Sequence, residues 1–205
     1  MRDPYLYEDV DVLKNLLDIK EASVLDCAEA DYVSFRLKQL AIKPLDGDYL
    51  AKHYLRFHKY IFQDLYEWAG VPRTISIYKE EDVLGGLSID YSDPFDIKND
   101  LNTALGKMNE RAWADMDKGE LVNAFCDDLA RLWKVHCFRE GNTRTAITFC
   151  CQFADEKGFP IDRSLFEENS SYVRTALVAY NAVFDDLGDL SKKGYLRQIV
   201  SDAIE

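Results

Sequence analysis

The spacing of apolar residues predicts an all-α helical bundle with one small β-hairpin. Three observations carry this. Apolar residues recur at three- and four-residue steps along most of the chain, the period of a helix with one buried face. Strict alternation is confined to two short stretches, Thr74 to Tyr78 and Leu87 to Tyr91, with Gly85-Gly86 just before the second. The chain has 205 residues, 47% of them hydrophobic, and no Pro-, Gly- or Ser-rich break long enough to divide it, so a single domain over 1–205 is expected.

In chain order, helical spacing covers Val10 to Ile19, then Ala22 to Ile42, which Pro44 stops. Tyr49 to Trp68 is a long aromatic-rich helix ending near Gly70 and Pro72. Its His53 and His58 are five apart and point to different faces, which argues for structural or surface roles rather than a metal pair. The hairpin at 74–91 follows. Helical spacing resumes at Phe95 to Trp113, Glu120 to Val135, Thr145 to Phe153, Ser171 to Phe184 and Leu190 to Ile204. A lone hairpin in a helical domain has no sheet to join, so its edge is a docking place for an extended segment of another chain.

Composition excludes several classes. A net charge of −12 argues against nucleic acid as partner, since gripping phosphate backbones needs clustered Lys and Arg. No apolar run spans a membrane, and Met1 to Tyr5 lacks the basic start and apolar core of a signal peptide, so a cytoplasmic location is expected. The five cysteines, Cys27, Cys126, Cys137, Cys150 and Cys151, show neither disulfide nor zinc spacing and read as buried thiols.

Chemistry concentrates in one loop, Val135-His136-Cys137-Phe138-Arg139-Glu140-Gly141-Asn142-Thr143-Arg144-Thr145, set between two helices. The helix that begins there offers unpaired N–H groups and the positive end of its dipole, and Gly141 with Asn142 lets the backbone close on an anion. Arg144 adds a planar fork of donors suited to phosphate. A carboxylate, Glu140, facing phosphate needs a cation between them, and Mg²⁺ takes one or two carboxylates plus substrate phosphates. His136 has the side chain best matched to accepting a proton near neutral pH.

These residues resemble the signature of the Fic family, His-Pro-Phe-x-(Asp/Glu)-Gly-Asn-Gly-Arg-x-x-Arg, with identities at His136, Phe138, Glu140, Gly141, Asn142 and Arg144. Asp3 to Tyr7, Glu29-Ala30-Asp31 and Phe62 to Gly70 also look like stretches found upstream of the signature in stand-alone Fic proteins. The resemblance implies a Fic-type bundle that transfers AMP from Mg-ATP to a Ser, Thr or Tyr hydroxyl of a protein target, self-modification included. It assigns His136 as base, Glu140 as Mg²⁺ ligand, and Arg139, Gly141, Asn142, Thr143 and Arg144 to the nucleotide. Ile75, Ser76, Ile77, Tyr78 and Lys79 become the flap that clamps the target. Phe138 is expected to anchor the loop in the core.

Three positions depart from the signature. Cys137 replaces the proline and costs some rigidity. Thr143 replaces the second glycine and is expected to cap the following helix. Ile147 replaces the last arginine, the usual partner of an inhibitory glutamate. The (Ser/Thr)-x-x-x-Glu-(Gly/Asn) element of that inhibition is matched formally at Ser164 to Asn169, too soon after the loop, and in part at Ser201 and Glu205. Control by a small antitoxin or by self-association stays open. Tyr172, Tyr180 and Asn181 read as core packing, with an adenine pocket as the alternative. The rival to the enzyme is a weakened domain that binds nucleotide or protein without turnover; use of another nucleotide, phosphate transfer and AMP removal are further variants.

Overall fold

The computed structural model, described here over residues 2–204, bears out the all-α class. Its helices are α1 (Ala22–Ile42), α2 (Ala51–Phe62), α3 (Ile97–Glu110), α4 (Lys118–Val135), α5 (Asn142–Lys157), α6 (Arg163–Glu168), α7 (Ser170–Tyr180) and α8 (Gly194–Ala203). Helix α4 is the axis of the bundle, packed against α3, α5, α7 and α8, while α2 bridges α1 to α5. Its start is fixed by a capping box: Asp117 accepts from the Glu120 N–H and Glu120 reaches back to the Asp117 N–H. Leu129, Leu132 and Trp133 then bury one face against Phe149 and Phe153 of α5 and Leu177 of α7 in a continuous core. No described helix is long and apolar enough to cross a membrane.

The paired strands lie elsewhere than the alternation predicts. β1 (Val183–Phe184) and β2 (Gly188–Asp189) form the antiparallel hairpin, with Val183 opposite Asp189 and Phe184 opposite Gly188. Residues 74–91 instead run out and back as extended arms around a short 3₁₀ turn at Asp82–Leu84, with no ladder between the arms. One backbone bond, from the Glu81 N–H to the Leu87 carbonyl at 3.1 Å, joins the arms near the tip, and side chains add to it. The Lys79 N–H goes to Ser88 Oγ, and Glu81 turns inward to pair with Arg174 of α7. Gly85 and Gly86, both at positive φ, close the tip.

The predicted helix at Val10 to Ile19 is also absent. Asn15 explains this: its side chain accepts from the Leu17 and Ile19 N–H groups and donates to the Leu13 and Ile19 carbonyls, so backbone groups a helix would use are already paired.

Candidate active site

The loop between α4 and α5 is held from within and from below. Helix α4 ends on His136, in the left-handed region at φ 47°, and α5 starts from Gly141 at φ 80°. A side chain at Gly141 would strike the Phe62 ring, with a Cβ only 2.3 Å from it, so glycine is required for space as well as conformation. The Asn142 amide brackets Phe138, accepting from its N–H and donating to its carbonyl, both at 2.8 Å. Phe138 is fully buried and stacks on the His58 ring at 3.6 Å. His58 accepts from the Gly70 N–H at Nδ1 and therefore donates from Nε2 to the Glu140 carbonyl at 3.0 Å. Burial pushes its pKa down to about 3, which keeps that neutral tautomer.

His136 lies against Tyr91 (ring centroids 4.0 Å apart) and edge-on to Trp133, is 4% exposed, and among the described residues has no hydrogen-bond partner on either ring nitrogen. Burial, then the nearby cations Lys79, Arg73 and Arg174, hold its pKa well below the ordinary value, so the imidazole is neutral at neutral pH and carries a free lone pair. A buried, unpartnered polar ring is costly and marks a position kept for something other than packing. The Trp133 beside it donates from Nε1 to Thr143 Oγ1 at 2.9 Å, which ties the base to the first turn of α5. Thr143 therefore does not cap that helix; Gly141 holds the cap position, and the threonine hydroxyl serves the tryptophan.

Charged groups alternate along the loop. Glu140 takes the Gly141 N–H at 2.9 Å and has Lys79 Nζ and Arg144 Nη2 each 3.6 Å from its carboxylate. Burial raises its pKa, but Lys79, the Gly141 N–H, Arg144 and Arg139 outweigh that and leave it lowered, hence ionised. Arg144 lies over the Phe62 ring and pairs with Glu29 of α1 at 2.5 Å. Arg139 turns to the N-terminal segment and pairs with Asp3 at 2.7 Å. A cavity of about 420 Å³ opens beside these groups, lined by Leu13, Glu29, Tyr66, Arg139 and Glu140. His136 is not on its wall but under Tyr91.

Among the described residues no cluster of three or more His, Cys, Asp or Glu could hold a metal alone. One ionised carboxylate beside an open helix start is nonetheless the donor set Mg²⁺ uses when substrate phosphates complete its shell.

Flap residues Ile75, Ser76, Ile77, Tyr78 and Lys79 run extended past the site. The N–H groups of the first four make no hydrogen bond among the described residues, so the segment presents a free edge. Ser201 lies with Lys118 and Arg197 at the start of α4, the end opposite His136, and is not brought to the site. Glu205 lies outside the described residues. Cys137 is buried with its thiol pushed up to about 12, an inert group. The Tyr180 hydroxyl bonds Asp127 and the Asn181 amide bonds the Ala130 carbonyl, roles in packing rather than in a base pocket. The structure brings to the site Arg73, Tyr91, Trp133, Glu29 and Tyr66, to which the sequence reading gives no site role, and puts His58, expected to be structural or at the surface, under the loop.

A helical bundle that carries an open helix start, an ionised acid and a neutral histidine in one loop is the arrangement expected of a Fic-type protein. The chain belongs to the Fic/DOC family, whose model matches residues 45–154. It is 27% identical over 203 residues to the protein adenylyltransferase VbhT of Bartonella schoenbuchensis, covering 99% of this chain but only 41% of VbhT. It is 30% identical over 171 residues to the probable protein adenylyltransferase y4lH of Sinorhizobium fredii, covering 82% of this chain and 83% of that protein. The crystal structure of BepC from Bartonella tribocorum, with bound AMPPNP, superposes with a TM-score of 0.81 at 20% identity, over 98% of this chain and 96% of that one, a likeness of fold.

Proposed function

We propose that this chain is a protein adenylyltransferase, a single Fic domain that moves AMP from Mg-ATP to a hydroxyl side chain of a protein target. The observation that carries this is the α5 start: Gly141 at φ 80° opens a helix N-terminus to an anion while Arg144 flanks it and the neutral His136 stands behind Trp133. Named relatives with the same activity support it.

In the reaction the target hydroxyl oxygen bonds to the α-phosphorus, the bond from that phosphorus to the β-phosphate bridging oxygen breaks, and pyrophosphate leaves. His136 takes the hydroxyl proton, filling the bond its ring lacks. The N–H groups of Asn142 and Thr143, unbonded among the described residues, receive the α-phosphate charge while Glu140 holds the Gly141 N–H, and Arg144 aligns the pyrophosphate end. Mg²⁺ held by Glu140 would neutralise polyphosphate charge. Asn142's own amide is spent on Phe138, so its side chain shapes the turn and leaves the backbone to bind. For a hydroxyl to reach His136, Tyr91 shifts, and the free edge at 75–78 pairs with the target chain. We place the reaction in the cytoplasm, where Mg-ATP and protein hydroxyls meet.

The test uses ATP labelled on either the α- or the γ-phosphate. Protein labelled from the α position, and not when the divalent ion is chelated, supports the proposal. Label from the γ position alone makes the chain a phosphate-transferring member of the family, and nucleotide binding without label makes it a binding domain.

A further inference from the structure

We propose that Glu29, on α1, is a positioning residue for the polyphosphate: it holds the Arg144 guanidinium against Phe62 and keeps it from closing onto Glu140. This deepens the nucleotide-transfer reading and rests on it.

Arg144 sits between two carboxylates. The same nitrogen, Nη2, is 2.5 Å from Glu29 Oε1 and 3.6 Å from Glu140 Oε1. Glu140, just ahead of the Gly141 cap, is already close enough to compete with Glu29 for the guanidinium. Were Glu29 absent, the guanidinium would swing onto Glu140 and occupy both the acid meant for a cation and the fork meant for phosphate. The grip of Glu29 is one-sided. It uses Nη2, while Nε and Nη1 make no hydrogen bond among the described residues and stay available.

Glu29 is itself held. Its other oxygen, Oε2, accepts from the Tyr66 hydroxyl, and the buried Tyr66 ring stacks on Trp68 at 4.5 Å. Burial and the adjacent Glu29 carboxylate both push the Tyr66 phenol pKa up, so it remains a donor. Phe62 lies under the guanidinium at 4.9 Å, a cation–π contact that adds to its hold. Glu29, Tyr66 and Glu140 line one cavity, so an acid there would repel a polyphosphate unless its charge were already committed. Arg144 takes that charge.

Calorimetry with ADP on the full chain, with melting temperatures recorded, tests this in a double-variant cycle. Wild type is expected to bind, Glu29→Gln to bind on the order of tenfold more weakly, as for loss of one charge-assisted contact, and Glu29→Gln combined with Arg144→Ala to bind no more weakly than Arg144→Ala alone. Where Glu29→Gln does not fold, Tyr66→Phe, which leaves the carboxylate in place but unanchored, replaces it in the same cycle, with a loss of a few-fold. Unchanged affinity overturns the proposal, as does a loss that adds to that of Arg144→Ala. Tighter binding also overturns it and makes Glu29 a competitor of the phosphate. Wild type that binds no ADP overturns the nucleotide reading itself, an outcome distinct from a wild type that binds and a variant that matches it.

Discussion

The Arg73 guanidinium donates through Nε to the backbone carbonyl of His136 at 2.8 Å. Its other nitrogens reach the carbonyls of Ile75 and Ser92, each at 2.5 Å, and among the described residues no carboxylate pairs with it. One buried cation thus ties both arms of the flap to the residue that carries the imidazole. Its charge also disfavours protonation of that ring. Arg73→Met would leave three carbonyls unpaired at about 1–3 kcal/mol each, so a loss of at least ~3 kcal/mol in urea unfolding is expected, together with a fall in label transfer. Wild-type stability in this variant would contradict the clamp.

A second tether joins the flap to α7. Arg174 grips Glu81 with two bonds, at 2.9 and 2.7 Å, and the Glu81 side chain is 4% exposed while Arg174 is 41% exposed. Arg174→Ala would strand a buried carboxylate; allowing for the solvated arginine, we expect a cost of about 1–3 kcal/mol. The consequence is local. Limited proteolysis should cut residues 79–91 faster than in the wild type, while cleavage elsewhere stays as before.

How far the sequence could be read depended on distance along the chain. The six signature identities sit within nine residues, so the loop, its glycine and its charges were legible at once. Helix α1 matched its predicted bounds because Pro44 stops it two residues on. Asp117 and Glu120 are spaced as a capping box, a local signal for the start of α4. The segment at 10–19 misled, since Asn15 diverts the backbone bonds that its apolar spacing assumed. Alternation at 74–91 correctly gave extended chain but could not show that Arg73, Glu81 and Ser88 hold arms that form no strand ladder. Glu29 and Arg144 are 115 residues apart, and nothing local in either announces the pair.

Gly141→Ala should abolish nucleotide binding. The added methyl group meets the Phe62 ring at 2.3 Å in a backbone region that disfavours any side chain, so either the loop or α2 gives way. We expect a stability loss of about 1–3 kcal/mol, read by thermal unfolding, and no heat on titration with ADP. Binding at wild-type affinity would show that the turn does not contact the phosphates.

All three histidines are buried, and burial lowers the pKa of each. His58 makes the fold less stable as the solution turns acid. Above the ordinary value of 6.5 it is neutral both folded and unfolded; below it the unfolded chain takes up a proton that the folded protein refuses until about 3. Stability is therefore complete above 6.5 and falls as the pH drops through that window, by about 1.4 kcal/mol per pH unit for each such group. Urea unfolding followed across this range in wild type and His58→Asn should show a slope smaller by about one proton in the variant. An identical slope would mean that His58 is protonated in the folded protein.

His136 is the base of the proposed nucleotide transfer. Label incorporated from α-labelled ATP, compared between wild type and His136→Ala under matched protein and Mg²⁺, tests it most directly. Incorporation should fall by on the order of 10²–10⁴-fold in the variant while ADP affinity is unchanged. A variant that labels at the wild-type rate would contradict it.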